Sequence, residues 1–384
     1  MFLLFFMMHY RTRFIVIILF LLTAYCCVAQ DIKTWEGFGV EANAFEGKVI
    51  KHEAKFTLPI PNLTTGMDVN LVWKTFGRKE WQQRRRYPVL GLGFTYTNYG
   101  IDSIYGRCFS VYPNIVVPLI TGKRLEWTLR IGDGIAYVTR AYSRIHPVDT
   151  INVAIGSKIN DYGSFLMDLR YHINKHWDVQ AGVNFSHISD GSYHVPNLGV
   201  NMAGTHIGIR YFPESSSPKL IKHDLKHLKN RWLFQFRLTM GYNESNAPTG
   251  PLYPVYLGTA YMSKRWSSRN KFFGGFDYSY SDQIYSYLRN NGFVAPGTER
   301  NNSYKTAVFA GNEFLLGRVG VVLQFGWYTH QTFDIQEPYY EKIGGNLYLV
   351  QREHGPIKEF FLCAYLEAHL AVAEFAEFGF GMGL

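Results

Sequence analysis

Apolar and polar side chains alternate with a period of two along most of this chain, in segments of roughly ten to thirteen residues, the length of a tilted membrane-spanning strand. The segments are 36–48, 66–76, 88–100, 107–121, 125–138, 163–173, 177–189 and 201–212, then 231–243, 252–264, 271–282, 303–316, 318–331, 343–351, 359–369 and 373–384. In the last of them Ala376, Phe378, Phe380, Met382 and Leu384 alternate with Glu377, Gly379, Gly381 and Gly383. One face is ready for lipid and the other is small or polar, as a wall strand requires. No stretch carries the pattern of a long amphipathic helix. The pattern predicts an all-β fold, an antiparallel transmembrane β-barrel of about 14–16 strands.

Short and long connections alternate. Only Asn174-Lys175-His176 separates 163–173 from 177–189, whereas 139–162, 190–200, 283–302 and 332–342 are long. Outer-membrane barrels have short periplasmic turns and long outer loops, so the long connections mark the cell exterior. The exception is 213–230, a polar stretch on the periplasmic side. It divides the chain into a 31–212 half and a 231–384 half, read here as two parts of one barrel. The alternative is an eight-stranded barrel followed by a second β unit.

Composition supports a barrel over a helical membrane protein. The 384 residues include 27 Tyr, 29 Phe and 36 Gly, with 18% charged residues, and mean hydropathy is only −0.11. The one long apolar run is N-terminal. Arg11 and Arg13 precede a short greasy core, and Cys27-Val28-Ala29 provides small residues for cleavage, so 1–30 reads as a signal peptide. Tyr25 is too bulky for a lipoprotein site at Cys26. Cleavage removes two arginines and no acid, taking the net charge from +9 to +7. On an exported barrel that charge suits anionic lipid headgroups, and nucleic acid would not be met. Cys108 and Cys363 remain and are expected to be unpaired.

Segment 177–189 carries the candidate chemistry. Val179, Ala181, Val183 and Phe185 share one face, and the next members of that face are His187 and Ser189. In the neighbouring strand Ala203, Ile207, Ile209 and Tyr211 form the lipid face, headed by Asn201. Polar residues at a strand end ordinarily mark the headgroup boundary. What singles this end out is that an imidazole, a hydroxyl and an amide converge there. A serine nucleophile needs an adjacent base, and the base needs a third group to fix its tautomer.

The stretch His187-Ile188-Ser189-Asp190-Gly191, followed by Pro196-Asn197-Leu198-Gly199-Val200-Asn201, resembles the active-site hairpin of PagL-type lipid A 3-O-deacylases. It is most similar to their longer relatives, the acyloxyacyl hydrolases of Bacteroidetes-type bacteria. Asn152-Val153-Ala154-Ile155-Gly156-Ser157 is also similar to the family. The resemblance is best over 85–213 and weaker to the C-terminus. It implies an outer-membrane serine esterase acting on lipid A, with Ser189 as nucleophile and His187 as general base. Asn201 stands where the founding enzymes carry a Glu, and Asp190 stands where an Asn is usual. Asn197 and the backbone N–H groups of Asp190 and Gly191 are the candidates for an oxyanion site. The implied partner is lipid A or lipopolysaccharide in the outer leaflet. The C-terminal strand resembles the signal read by the outer-membrane insertion machinery. No metal and no organic cofactor is implied.

Other features carry less. Arg84-Arg85-Arg86 sits in a periplasmic connection and reads as a solvated turn or a contact with inner-leaflet phosphates. His369 recurs at a strand end, but Ala371 stands where a serine would be, and His369 shares its face with Glu367. A competing reading is a non-enzymatic porin or surface barrel whose lumen residues Arg170, His172, His206 and Arg210 set solute preference.

Overall fold

The computed structural model describes residues 36–52, 56–143, 151–213, 219–225, 231–244, 250–332, 337–370 and 372–384. The signal-peptide segment and Ala371 lie outside them. Sixteen antiparallel strands are present among the described residues: β1 (Phe38–Ile50), β2 (Thr64–Lys74), β3 (Val89–Asn98), β4 (Arg107–Thr121), β5 (Leu125–Val138), β6 (Ile159–His172), β7 (Trp177–Ser189), β8 (Val200–Tyr211), β9 (Trp232–Glu244), β10 (Leu252–Arg265), β11 (Asn270–Ser281), β12 (Tyr304–Leu316), β13 (Val319–Gln331), β14 (Tyr339–Gln351), β15 (Glu359–His369) and β16 (Val372–Gly383). Among the described residues two short α-helices, α1 (Glu80–Arg84) and α2 (Asp282–Asn291), and a single 3-10 turn (Arg300–Asn302) lie in connections. No described helix is long and apolar enough to cross a membrane.

The strands close as two barrels. β8 returns to pair with β1, with Ala42 opposite Ile209, and β16 returns to β9, with Phe378 opposite Met240. The single barrel of about 14–16 strands is thus corrected to the other arrangement, an eight-stranded barrel followed by a second β unit of the same size. Alternation fixes which side chains face out, but it is the same whichever strand lies next door. Closure is decided by the lumen. An eight-stranded barrel is just narrow enough for side chains to fill it, and these two are filled.

In the first barrel Arg130 donates to Glu41 at 3.1 Å and to Asp68 at 2.6 Å, while Arg170 donates to Glu41 at 3.2 Å. His206 meets Asp168 at 2.6 Å, and Arg210 meets Asp178 at 2.7 Å. In the second, Lys342 lies 2.9 Å from Glu377 and 3.0 Å from Glu367, and Lys271 lies 2.9 Å from both Glu313 and Glu359. All these side chains are buried. Buried charges are tolerated because each has a partner. The four basic residues assigned to a pore lining are therefore tied up, Arg170, His206 and Arg210 as above and His172 to Asp178 at 2.7 Å.

The outer walls are apolar, with Met67, Phe94, Val183, Ile207, Phe276 and Phe378 all exposed. Trp127, Tyr171 and Trp177 ring the short-turn end of the first barrel, an aromatic girdle of the kind found at a membrane interface. The β6–β7 turn is tight because the Asn174 side chain accepts the N–H groups of His176 and Trp177 at 2.8 and 2.9 Å. Cys108 and Cys363 are free and buried.

The triple-arginine connection is more than a solvated turn. Arg85 donates to the carbonyls of Arg269 at 2.6 Å, in the β10–β11 connection, and Leu315 at 3.0 Å, near the end of β12, both in the second barrel. Arg86 caps Leu119 O at 2.9 Å. The described part of the inter-barrel connection also packs here, with Ile221 N donating to Phe76 O and His223 N to Gln83 Oε1.

Candidate functional site

β7 and β8 bring the outer-face residues together by register. His187 lies directly opposite Asn201, two residues from Ser189 on the same face. The imidazole Nδ1 meets Asn201 Oδ1 at 2.6 Å. With the amide oxygen as acceptor, Nδ1 carries the proton and the lone pair is on Nε2.

The Ser189 hydroxyl accepts two hydrogen bonds, from Asn197 Nδ2 at 2.8 Å and from Gly191 N at 3.2 Å. His187 does not hydrogen-bond to it in this state. Ser189 is 5% exposed, because the segment following β7 folds back over it. Asn197 therefore arrives beside the serine from eight residues downstream.

That fold-back is held from beneath by the Asn152–Ser157 segment. Leu198 N donates to Val153 O at 3.2 Å and Gly199 N to Ala154 O at 2.8 Å. Asn152 is fully buried; its side chain donates to Ile104 O and accepts from Ile155 N. Gly156 is needed because a Cβ there would stand 2.3 Å from His194 O and 2.9 Å from Asp190 Oδ2. Gly199, at φ +77, lies so close to His187 that a Cβ would fall 2.8 Å from Cε1. His52 adds a bond from its Nε2 to Leu198 O at 2.9 Å.

All six residues singled out from sequence lie in this one region. His187 is joined to Asn201, and Ser189 to Asn197 and Gly191; Asp190 turns its carboxylate toward Gly156 rather than toward the hydroxyl. Sequence reasoning missed Asp161 and Asp133. Asp161 is directly opposite Ser189 on the outward face, and Asp133 is its diagonal neighbour on β5. Both are exposed. Their signal was legible, since each breaks an otherwise apolar outward row.

His369 points into the second lumen, where its Nε2 meets Tyr328 Oη at 3.0 Å. Glu367, His369 and Glu374 bring ligand atoms within 4.8 Å of one another. Lys305, 3.0 Å from Glu374, already supplies the cation there.

Residues 65–210 match the family model described as lipid A 3-O-deacylase (PagL), and 232–383 match that described as acyloxyacyl hydrolase, C-terminal domain. No curated protein matches the chain. Among solved structures, Neisserial surface protein A is similar at 16% identity, over 46% of this chain and 97% of that one, with a TM-score of 0.29. The outer membrane enzyme PagL is similar at 18% identity, over 44% of this chain and 97% of that one, with a TM-score of 0.28. A mutant porin of Rh. blastica aligns at 8% identity over 90% of this chain and 99% of that one, with a TM-score of 0.18. The first match covers β2 to β8 with the His187/Ser189 hairpin, and the second covers the second barrel. The chain belongs to the family of PagL-type lipid A 3-O-deacylases and acyloxyacyl hydrolases, outer-membrane β-barrel hydrolases of lipid A.

Proposed function

We propose that this chain is a serine esterase that removes an ester-linked acyl chain from lipid A in the outer leaflet. One observation carries the reading. On the outward face of the wall, an imidazole fixed through Nδ1 by Asn201 stands two residues from a hydroxyl that already sits under two N–H donors. A lipid ester reaches that face by lateral diffusion, without leaving the membrane.

Ser189 Oγ attacks the ester carbonyl carbon and passes its proton to His187 Nε2. The carbonyl oxygen becomes an oxyanion. Asn197 Nδ2 and the backbone N–H groups of Asp190 and Gly191 accept its charge in a site shielded from water. His187 then protonates the departing sugar or acyl alkoxide, leaving an acyl-serine. A water molecule, deprotonated by His187, attacks the acyl carbon, and the fatty acid leaves as Ser189 is regenerated. Every step is proton transfer and acyl transfer, so the mechanism calls for no metal or organic cofactor.

Asn201 orients the imidazole but carries no charge to stabilise imidazolium. Asp161, opposite Ser189 on the same face, is an outward acid placed in register with the hydroxyl. Filled lumens argue against the porin reading. The test is mass spectrometry of lipid A from cells making the wild type or Ser189→Ala. Loss of one acyl chain with the wild type alone supports the esterase and identifies the chain. Unchanged lipid A with correctly inserted wild type overturns it.

A further inference from the structure

The segment that covers Ser189 is anchored on its far side to the other barrel. Glu244, the last residue of β9, accepts the Val195 N–H through Oε2 at 2.6 Å. Its own N–H donates to Ser192 O at 3.3 Å, and Ser192 Oγ donates to Ala373 O at 2.5 Å, at the start of β16. His194 Nδ1 lies 3.8 Å from Glu244 Oε1. A Cβ on Gly191 would sit 3.2 Å from Leu366 Cδ1 and 3.6 Å from Ala376 Cβ, so this turn lies flat against the second wall.

The local backbone needs such support. Gly191 and Ser192 are consecutive residues at φ 65° and 61°, a conformation that costs a serine energy. Glu244 is 4% exposed, a buried carboxylate whose place is set by what it holds. It is backed in turn by α2, whose Gln283 accepts from Asn243 Nδ2 at 2.8 Å and donates to Glu244 O at 3.4 Å. Between the Ser192 and Val195 anchors on one side and the Leu198–Gly199 bonds on the other lies Asn197, which touches the Ser189 hydroxyl.

We infer that Glu244 of the second barrel is a positioning residue for the first barrel's catalytic centre: by holding Val195 it sets where Asn197 stands over Ser189. The second barrel is then part of the active site. This rests on the esterase reading above.

The test is steady-state kinetics of the purified full chain on lipid A in mixed micelles, with the shift in gel mobility on heating as the check of folding. Glu244→Ala lowers kcat by about 10²-fold with KM little changed, because displacing a transition-state donor by about 1 Å has that effect. Glu244→Gln, whose amide oxygen still accepts the Val195 N–H, restores kcat. Asn197→Ala added to Glu244→Ala costs little more, because the two changes disable one element. Should Glu244→Ala fail to insert, Ser192→Ala removes the other anchor without touching a buried carboxylate and lowers kcat in the same sense. Unchanged kcat in a folded Glu244→Ala, with Ser189→Ala inactive, overturns the inference and leaves the esterase intact. Multiplying losses in the double variant also overturn it. Full activity of Ser189→Ala overturns the esterase reading, and the inference with it.

Discussion

His187 and Asn201 are opposite partners on adjacent strands, and the 2.6 Å contact between Nδ1 and Oδ1 fixes which imidazole nitrogen faces the serine side. An amide does this as well as a carboxylate. What it lacks is charge. Exchanging Asn201 for Asp therefore raises kcat, by about tenfold or ~1.4 kcal/mol of barrier, read by the rate of fatty-acid release.

Removing the hydroxyl or the imidazole abolishes turnover. Ser189→Ala and His187→Ala each lower kcat by about 10⁴-fold or more, and combining them adds little, since the two act as one unit. Fatty-acid release from lipid A micelles by the purified variants measures this.

Asn197→Ala lowers kcat by about 10²–10³-fold, equivalent to ~2.7–4 kcal/mol, the usual cost of losing one oxyanion donor. KM stays near the wild-type value because the lost bond strengthens only as the oxyanion forms. Separate determination of kcat and KM distinguishes this from weakened substrate binding.

Glu41→Ala destabilises the first barrel by about 3–5 kcal/mol, because Arg130 and Arg170 both lose a partner inside the lumen. The measurement is the midpoint of urea unfolding in detergent, followed by tryptophan fluorescence. A water-filled lumen would tolerate the change.

Planar bilayers containing the chain carry no steady ion current, because Arg130, Arg170, Lys271 and Lys342 occupy the lumens with paired charge. Stable single-channel steps would revive the porin reading.

Sixteen strands were legible because each wall strand must place an apolar side chain outward at every second position, and that constraint is written locally. Barrel closure was not. Whether β8 meets β1 or β9 depends on backbone edges and on lumen pairs such as Glu41 with Arg130, 89 residues apart. The candidate site was legible in the same local way, since His187, Ser189 and Asn201 continue outward rows already visible in the sequence. Asp133 and Asp161 break such rows and could have been noticed. Glu244 could not. It looks like the polar end of any strand, and its role exists only through a contact with Val195, 49 residues away on another barrel.

The barrels are pinned at both membrane faces: by Ser192 and Val195 at the long-loop end and by Arg85 at the other. A cylinder pinned at one end can pivot about its neighbour; a cylinder pinned at both cannot roll or splay. Part of the first wall is therefore permanently in the shadow of the second, and bilayer lipids are kept out of that arc. On the proposed esterase reading, lipid A reaches Ser189 only through the sector left open, so the second barrel makes a circular wall directional and gives every incoming substrate the same heading.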